Sequence, residues 1–170
     1  MPPVAAITET NQYLTFKLDE EFFTVEVTRV REILEFVKIT KIPDAPSFMR
    51  GMINVRGGVV PVIDLRLKFG LTITERKVTT RIIVLEVVRE GKTLVIGALA
   101  DAVKEVIELH PEQIVPPPDI GTHWKRELIS GVGSHNEEFV MFLNLDKLFS
   151  DDFVESVLSE TGGVDEDFTR

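Results

Sequence analysis

Cysteine is absent from the 170 residues, which excludes disulfides, thiolate zinc sites and cysteine nucleophiles together. Positive charge is scarce: 19 bases face 28 acids, for a formal net charge of -9. A nucleic-acid binder needs a basic face for phosphate, and docking on anionic lipid needs the same, so neither partner is expected. No apolar run approaches the roughly eighteen residues that span a bilayer, so direct membrane insertion is not expected. The opening MPPVAAITETNQ lacks the basic-then-apolar order of a secretory signal, leaving the cytoplasm as the expected compartment. Histidine is rare as well. His110, His123 and His135 share no metal-ligand spacing, and no glycine-rich loop ends in Gly-Lys-Ser/Thr, so neither a metal nor another cofactor is expected.

What is present is apolar material, 44% of the residues, enough for a core in a chain whose length suits one domain or two small ones. The acid excess is uneven. Asp151 to Arg170 carries seven acids and one base, and without it the net charge is -3, from 18 bases and 21 acids. Its first half, DDFVESVLSE, has the spacing of an amphipathic helix that turns Phe153, Val157 and Leu158 to one side. Its second half, TGGVDEDFTR, reads as a solvated acidic tail.

The remaining chain is written twice. FFTVEVTRVREIL, starting at Phe22, matches VIGALADAVKEVI, starting at Val95, at an offset of 73. VVPVIDLRLKF, starting at Val59, matches FVMFLNLDKLF, starting at Phe139, at an offset of 80, and Gly51 falls on Gly131 at that same offset. The difference is taken up in the proline-bearing connections, KIPDAPSFMRG against the longer QIVPPPDIGTHWKRELISG. Two fused copies of one small module are the reading.

Each copy reads as mostly β. Tyr13–Leu18 and Phe22–Val27 flank a polar Asp19-Glu20-Glu21 turn, and Arg81–Val88 and Thr93–Leu99 flank Arg89-Glu90-Gly91-Lys92, both hairpin signals. Thr28 is the expected cap of a short helical turn. Asp64 and Asn144 are expected to cap turns ending near Phe69 and Phe149, with Gly70 stopping the first. Five short strands with one or two helical turns make a small barrel, and two barrels fill the length. The expected division is 12–150 for the folded part, with roughly 12–73 as a first barrel and 78–150 as a second, exchange of strands between them being possible; 151–170 is the C-terminal helix and tail.

One stretch, NVRGGVVPVIDLR from Asn54 to Arg66, puts an arginine at the head of an otherwise buried-looking strand. Gly57 and Gly58 permit positive φ, so a tight turn is expected there, with Arg56 just outside it. Pro61 cannot donate to a ladder and marks an edge or a bulge. A guanidinium at that strand entrance either grips an incoming carboxylate or carbonyl with its fork geometry or makes a structural ion pair within its own module.

The ordered set Val30-x-Glu32-Ile33, Pro43 and Pro46, Gly51-x-x-Asn54-x-Arg56-Gly57-x-x-x-Pro61-Val62-x-Asp64-Leu65, and Val95-Ile96-Gly97-x-x-x-Asp101-x-Val103 resembles the signature of the CheW family of chemotaxis coupling proteins, from about Gln12 to Phe149. The resemblance implies two SH3-like five-stranded barrels with short helices and an adaptor without catalytic activity. It implies two partners: the cytoplasmic tip of a chemoreceptor (a methyl-accepting chemotaxis protein), a helical hairpin docking between the barrels, and the regulatory domain of the CheA histidine kinase. It also implies a cytoplasmic protein recruited to membrane receptor arrays. By match of motif, Val30, Glu32 and Arg56 face the receptor, with Val30 and Ile53 on the apolar side of the docked helix. Val95, Ile96 and Gly97 lie on a kinase-binding edge of the second barrel. The insert from Asp119 to Lys125, with Trp124, has no counterpart role in that family.

Two rival readings follow. The chain can serve a related pathway whose output is pili or another process rather than flagella. An enzyme would have to use His135 beside Ser134, which has no G-x-S-x-G elbow, or the Asp101 and Glu105 carboxylates, a pair that is usually just solvated.

Overall fold

The computed structural model describes residues 11–89, 91–117 and 126–149. The expected C-terminal helix and tail, the insert at 119–125 and His123 lie outside them. Among the described residues ten strands form: β1 Asn11–Leu18, β2 Glu21–Glu26, β3 Val30–Glu35, β4 Met49–Val55, β5 Gly58–Asp64, β6 Arg81–Arg89, β7 Lys92–Ala100, β8 Ala102–Leu109, β9 Ile129–His135 and β10 Glu138–Leu143. Both expected hairpins are present, β1 on β2 and β6 on β7, each antiparallel.

The strands lie in two five-stranded sheets, ordered β8-β1-β2-β10-β9 and β3-β6-β7-β5-β4. Matching them by the repeat offsets, β3 corresponds to β8, β6–β7 to β1–β2, and β4–β5 to β9–β10. Each sheet therefore takes the opening hairpin of one module and the last three strands of the other, so the sheets do not follow the chain order of 12–73 and 78–150. The crossings are short. Only the 3-10 turn Val27–Arg29 separates β2 from β3, and only Asp101 separates β7 from β8. A chain that leaves a strand through so short a corner runs into the neighbouring sheet.

Neither ladder is continuous around a barrel. Isolated bridges, Thr40 to Met52 in one lobe and Val115 to Val132 in the other, span the gaps. Gly51 and Gly131 lie under these bridges: a Cβ on Gly51 would run into the Thr40 carbonyl oxygen, and one on Gly131 would meet the Val115 oxygen at 3.0 Å. The repeated glycine is thus required by close backbone approach.

The central strands bury both faces. Val62, Ile82, Val84 and Leu99 fill one barrel, while their neighbours Ile63, Ile83, Leu85 and Ala98 point the other way, into a layer shared with Leu14, Phe16, Leu18 and Phe23 of the opposite sheet. Tyr13, Ile107, Leu109, Val140 and Phe142 fill the second barrel. The shared layer holds 20 buried residues against six and five inside the barrels. Each buried aliphatic or aromatic side chain contributes about 1.5–3 kcal/mol, so among the described residues most of the apolar stabilisation lies in the layer between the lobes.

The caps at Asp64 and Asn144 form as expected. Asp64 accepts from the Arg66 amide at 3.1 Å and Asn144 from the Lys147 amide at 3.2 Å, opening the helical turns Leu65–Lys68 and Leu145–Leu148. Gly70 follows the first with φ +80°. Thr28 does not cap: it lies inside the turn Val27–Arg29, whose N-cap position is Glu26. Pro61 is not on an edge strand, because β5 lies between β7 and β4. Its missing N–H is tolerated because the parallel ladder to β7 begins one residue later, at Val62.

Candidate functional site

The β4–β5 hairpin closes on the pair Val55–Gly58, leaving Arg56 and Gly57 as its two-residue loop. Their φ values, +51° and +86°, make this a type I′ turn, the form whose twist suits a hairpin. Arg56 is therefore inside the turn, not beside it, and Gly58 belongs to β5. The Asn54 side chain steadies the turn by accepting from the Gly57 amide at 3.1 Å. A left-handed conformation disfavours a branched or bulky side chain by about 1–2 kcal/mol, yet an arginine occupies it. Glycine would be the residue of choice for the turn alone.

That arginine donates from Nη1 to Glu32 Oε2 at 2.7 Å, reaching from the hairpin tip to β3 across the unpaired seam of the first lobe. The Arg56 side chain is 78% exposed and Glu32 19%. An exposed ion pair contributes little to stability, of order 0–1 kcal/mol. What it does is hold the guanidinium over one spot, with its remaining donors facing solvent.

β3 alternates cleanly. Val30, Glu32 and Leu34 are half-buried, while Arg31, Ile33 and Glu35 are exposed. Ile33, 41% exposed, follows Glu32 in sequence on the outer face of β3, whereas Ile53 is 4% exposed and packed among Val60, Val62 and Val84 inside the barrel. Ile53 thus does not lie on the expected docking face. Ile33 was legible as part of the quoted motif, and the two-residue alternation around it was the signal that it points outward.

The second expected face differs more. β7 is flanked on both sides, by β6 and β5, so it presents no edge. Ile96 is 1% exposed, and a Cβ on Gly97 would meet Ile82 Cγ2 at 2.9 Å. Gly97 serves close packing of β7 on β6 within its own barrel. Val95 is half-buried, near the end of the β6–β7 hairpin, where Val88 is exposed.

Between the lobes a cleft of about 420 Å³ is lined by Lys17, Asp19, Arg66, Lys77, Asp101 and Lys104 among others, with no histidine. Arg66 ties its walls together, donating to Asp101 Oδ2 at 2.7 Å and to the Thr72 carbonyl at 2.8 Å. Arg66 is also 3.6 Å from Asp19, and Lys77 is 3.9 Å from Glu75, so charges of both signs meet along the cleft. His135 lies elsewhere, 3.6 Å from Glu105, with no nucleophile bonded to it. Asp101 and Glu105 are engaged separately, with Arg66 and His135. Among the described residues no group of His, Asp and Glu has the arrangement of a metal site.

Comparison with known proteins gives a consistent result. Residues 12–153 match the family model described as a CheW-like domain. The chemotaxis protein CheW of Klebsiella aerogenes is 32% identical over 147 residues, covering 86% of each chain. That of Rhizobium meliloti is 32% identical over 138 residues, covering 81% of this chain and 86% of its own. Among solved structures, the scaffolding protein TtCheW from Thermoanaerobacter tengcongensis superposes with a TM-score of 0.75 at 32% identity, covering 85% of this chain and 91% of that one.

Proposed function

This chain belongs to the family of CheW-like domain proteins and is a coupling scaffold rather than a catalyst, and on that premise we propose that it joins a chemoreceptor to the CheA histidine kinase. The proposed receptor face is the seam of the first lobe. A receptor helix offers an apolar stripe bordered by charge, the helix-in-groove mode. A helix lying along the edge of β3 meets the exposed Ile33 on one side of the strand and the accessible edge of Val30 on the other. Arg56, steered by Glu32, sets the register through its free donors. The observation that carries this reading is the 2.7 Å clasp holding an exposed guanidinium, in a turn that would favour glycine, over the edge strand β3.

For the kinase, the proposed contact is the projecting end of the β6–β7 hairpin, with Val88 exposed and Val95 half-buried, rather than Ile96 and Gly97 within the sheet. The two partners would then bind on separate surfaces of one rigid body. No helix among the described residues is long and apolar enough to cross a membrane. A cytoplasmic scaffold recruited to membrane receptor arrays fits that and the acidic composition.

The test is titration of a labelled receptor-tip hairpin. Arg56→Ala should weaken binding on the order of tenfold, as loss of an anchoring arginine does, with an unchanged unfolding midpoint. The exchanged pair Glu32→Arg with Arg56→Glu should restore the clasp but not the binding. Wild-type affinity in Arg56→Ala would remove this face from the receptor contact.

A further inference from the structure

The repeat places a second clasp where the first lobe has Arg56 and Glu32. Glu32 maps on Glu105 at the offset of 73, and the Arg56–Gly57 turn maps on Asn136–Glu137 at the offset of 80. Asn136 and Glu137 have φ +52° and +67°, so this is the same type I′ turn. Asn136 does not reach across. The residue before it does: His135 Nε2 lies 3.6 Å from Glu105 Oε1, spanning the unpaired seam between β9 and β8.

The same nitrogen has a second neighbour, Asn136 Nδ2, at 3.2 Å. A side-chain amide nitrogen only donates and a carboxylate oxygen only accepts. An imidazole nitrogen cannot serve both at once: bare, it accepts from Asn136; carrying a proton, it donates to Glu105. The charged side chains on the elements flanking His135 are Glu105 on β8, Glu138 opposite it on β10, and Glu137 in the turn, together with Lys104 and Glu108, also on β8. Lys104 lines the cleft between the lobes and Glu108 accepts from Gln12, so Glu105 is the one in ion-pair range of the ring.

We propose that His135 is a proton-operated latch across the seam of the second lobe, in the place where the first lobe has a permanent arginine clasp. Histidine is the side-chain type whose charge changes near neutral pH, whereas arginine keeps its charge throughout. With protons on both ring nitrogens the His135–Glu105 bond forms and β8 is held to β9. With Nε2 bare the ring turns to Asn136 and the seam is tied by the Val115–Val132 bridge. The stabilisation is present at low pH and lost as the pH rises. β8 carries Val106, 49% exposed, at the position matching Ile33, so the latch sets the firmness of an exposed strand edge.

The experiment is amide hydrogen exchange over 102–109 and 129–135 at pH 6 and pH 8, each variant compared with wild type at the same pH. His135→Leu removes the latch, His135→Arg makes it permanent, and Glu105→Gln removes its partner. At pH 6 wild type should exchange like His135→Arg, about two- to fivefold slower than His135→Leu, the protection expected of an exposed ion pair. At pH 8 wild type should match His135→Leu, while His135→Arg stays protected. Glu105→Gln should exchange like His135→Leu at both pH values. Equal exchange of wild type and His135→Leu at pH 6, or a Glu105→Gln variant as protected as wild type at pH 6, overturns the proposal.

Discussion

Asp64→Ala should be among the most destabilising single substitutions in this chain. The Asp64 side chain is fully buried and accepts from four donors: Arg50 Nη1 at 3.0 Å, the Thr74 amide at 2.9 Å, the Thr74 hydroxyl at 2.7 Å and the Arg66 amide at 3.1 Å. It therefore pins three things at once: the strand β4, the start of the helical turn after β5, and the connection that leads on to β6. Four orphaned donors at about 1–3 kcal/mol each set an upper bound that relaxation lowers. Arg50 is 22% exposed and keeps the Thr74 carbonyl at 3.1 Å, so water and that carbonyl compensate in part. Breaking a buried pair by removing one partner costs about 3–5 kcal/mol, which is the expected loss. Against a stability of about 5–15 kcal/mol the variant stays folded but marginal, with Tm lowered by roughly 6–20 °C. Urea unfolding followed by far-UV circular dichroism measures it, with wild-type slope and a lower midpoint. Asp64→Asn, which keeps one acceptor oxygen, should fall between. A loss under about 1 kcal/mol in Asp64→Ala would refute the claim that this carboxylate organises the connection.

Ile33→Asp should weaken receptor-tip binding while leaving the unfolding midpoint within about 0.5 kcal/mol of wild type; Ile53→Asp, a charge inside the barrel, should instead prevent stable folding, read by circular dichroism and solubility. Gly97→Arg should lose binding to both partners together, with a reduced unfolding midpoint, because its Cβ would press on Ile82. Selective loss of kinase binding at wild-type stability would show that this face is open after all.

Much of this was legible in the residues. The hairpins, the duplication and the caps at Asp64 and Asn144 follow from alternation, repeat offsets and short polar side chains. The exchange of hairpins did not follow, because a repeat reports shared ancestry of segments and says nothing of which copies pair in space. The exact loop of the β4–β5 hairpin was ambiguous in Arg56-Gly57-Gly58, although the match of Arg56–Gly57 to Asn136–Glu137 at the offset of 80 carries the answer. Ile53 was readable as inward, since Arg50 and Asn54 hold the wetter face of the edge strand β4; Ile96 and Gly97 were misplaced for a different reason. Strands that bury both faces show no polar phase to fix which apolar residue points out. β3, with one wet face, kept its alternation, and there Glu32 and Ile33 were readable.

The central claim is that one rigid two-lobed body holds two partners on separate faces. Isothermal titration of the kinase regulatory domain into the chain already saturated with receptor tip tests it most directly. The account predicts one kinase domain bound per chain with affinity unchanged by the receptor tip, and unchanged again in Arg56→Ala. Competition between the two ligands, one displacing the other, would contradict it.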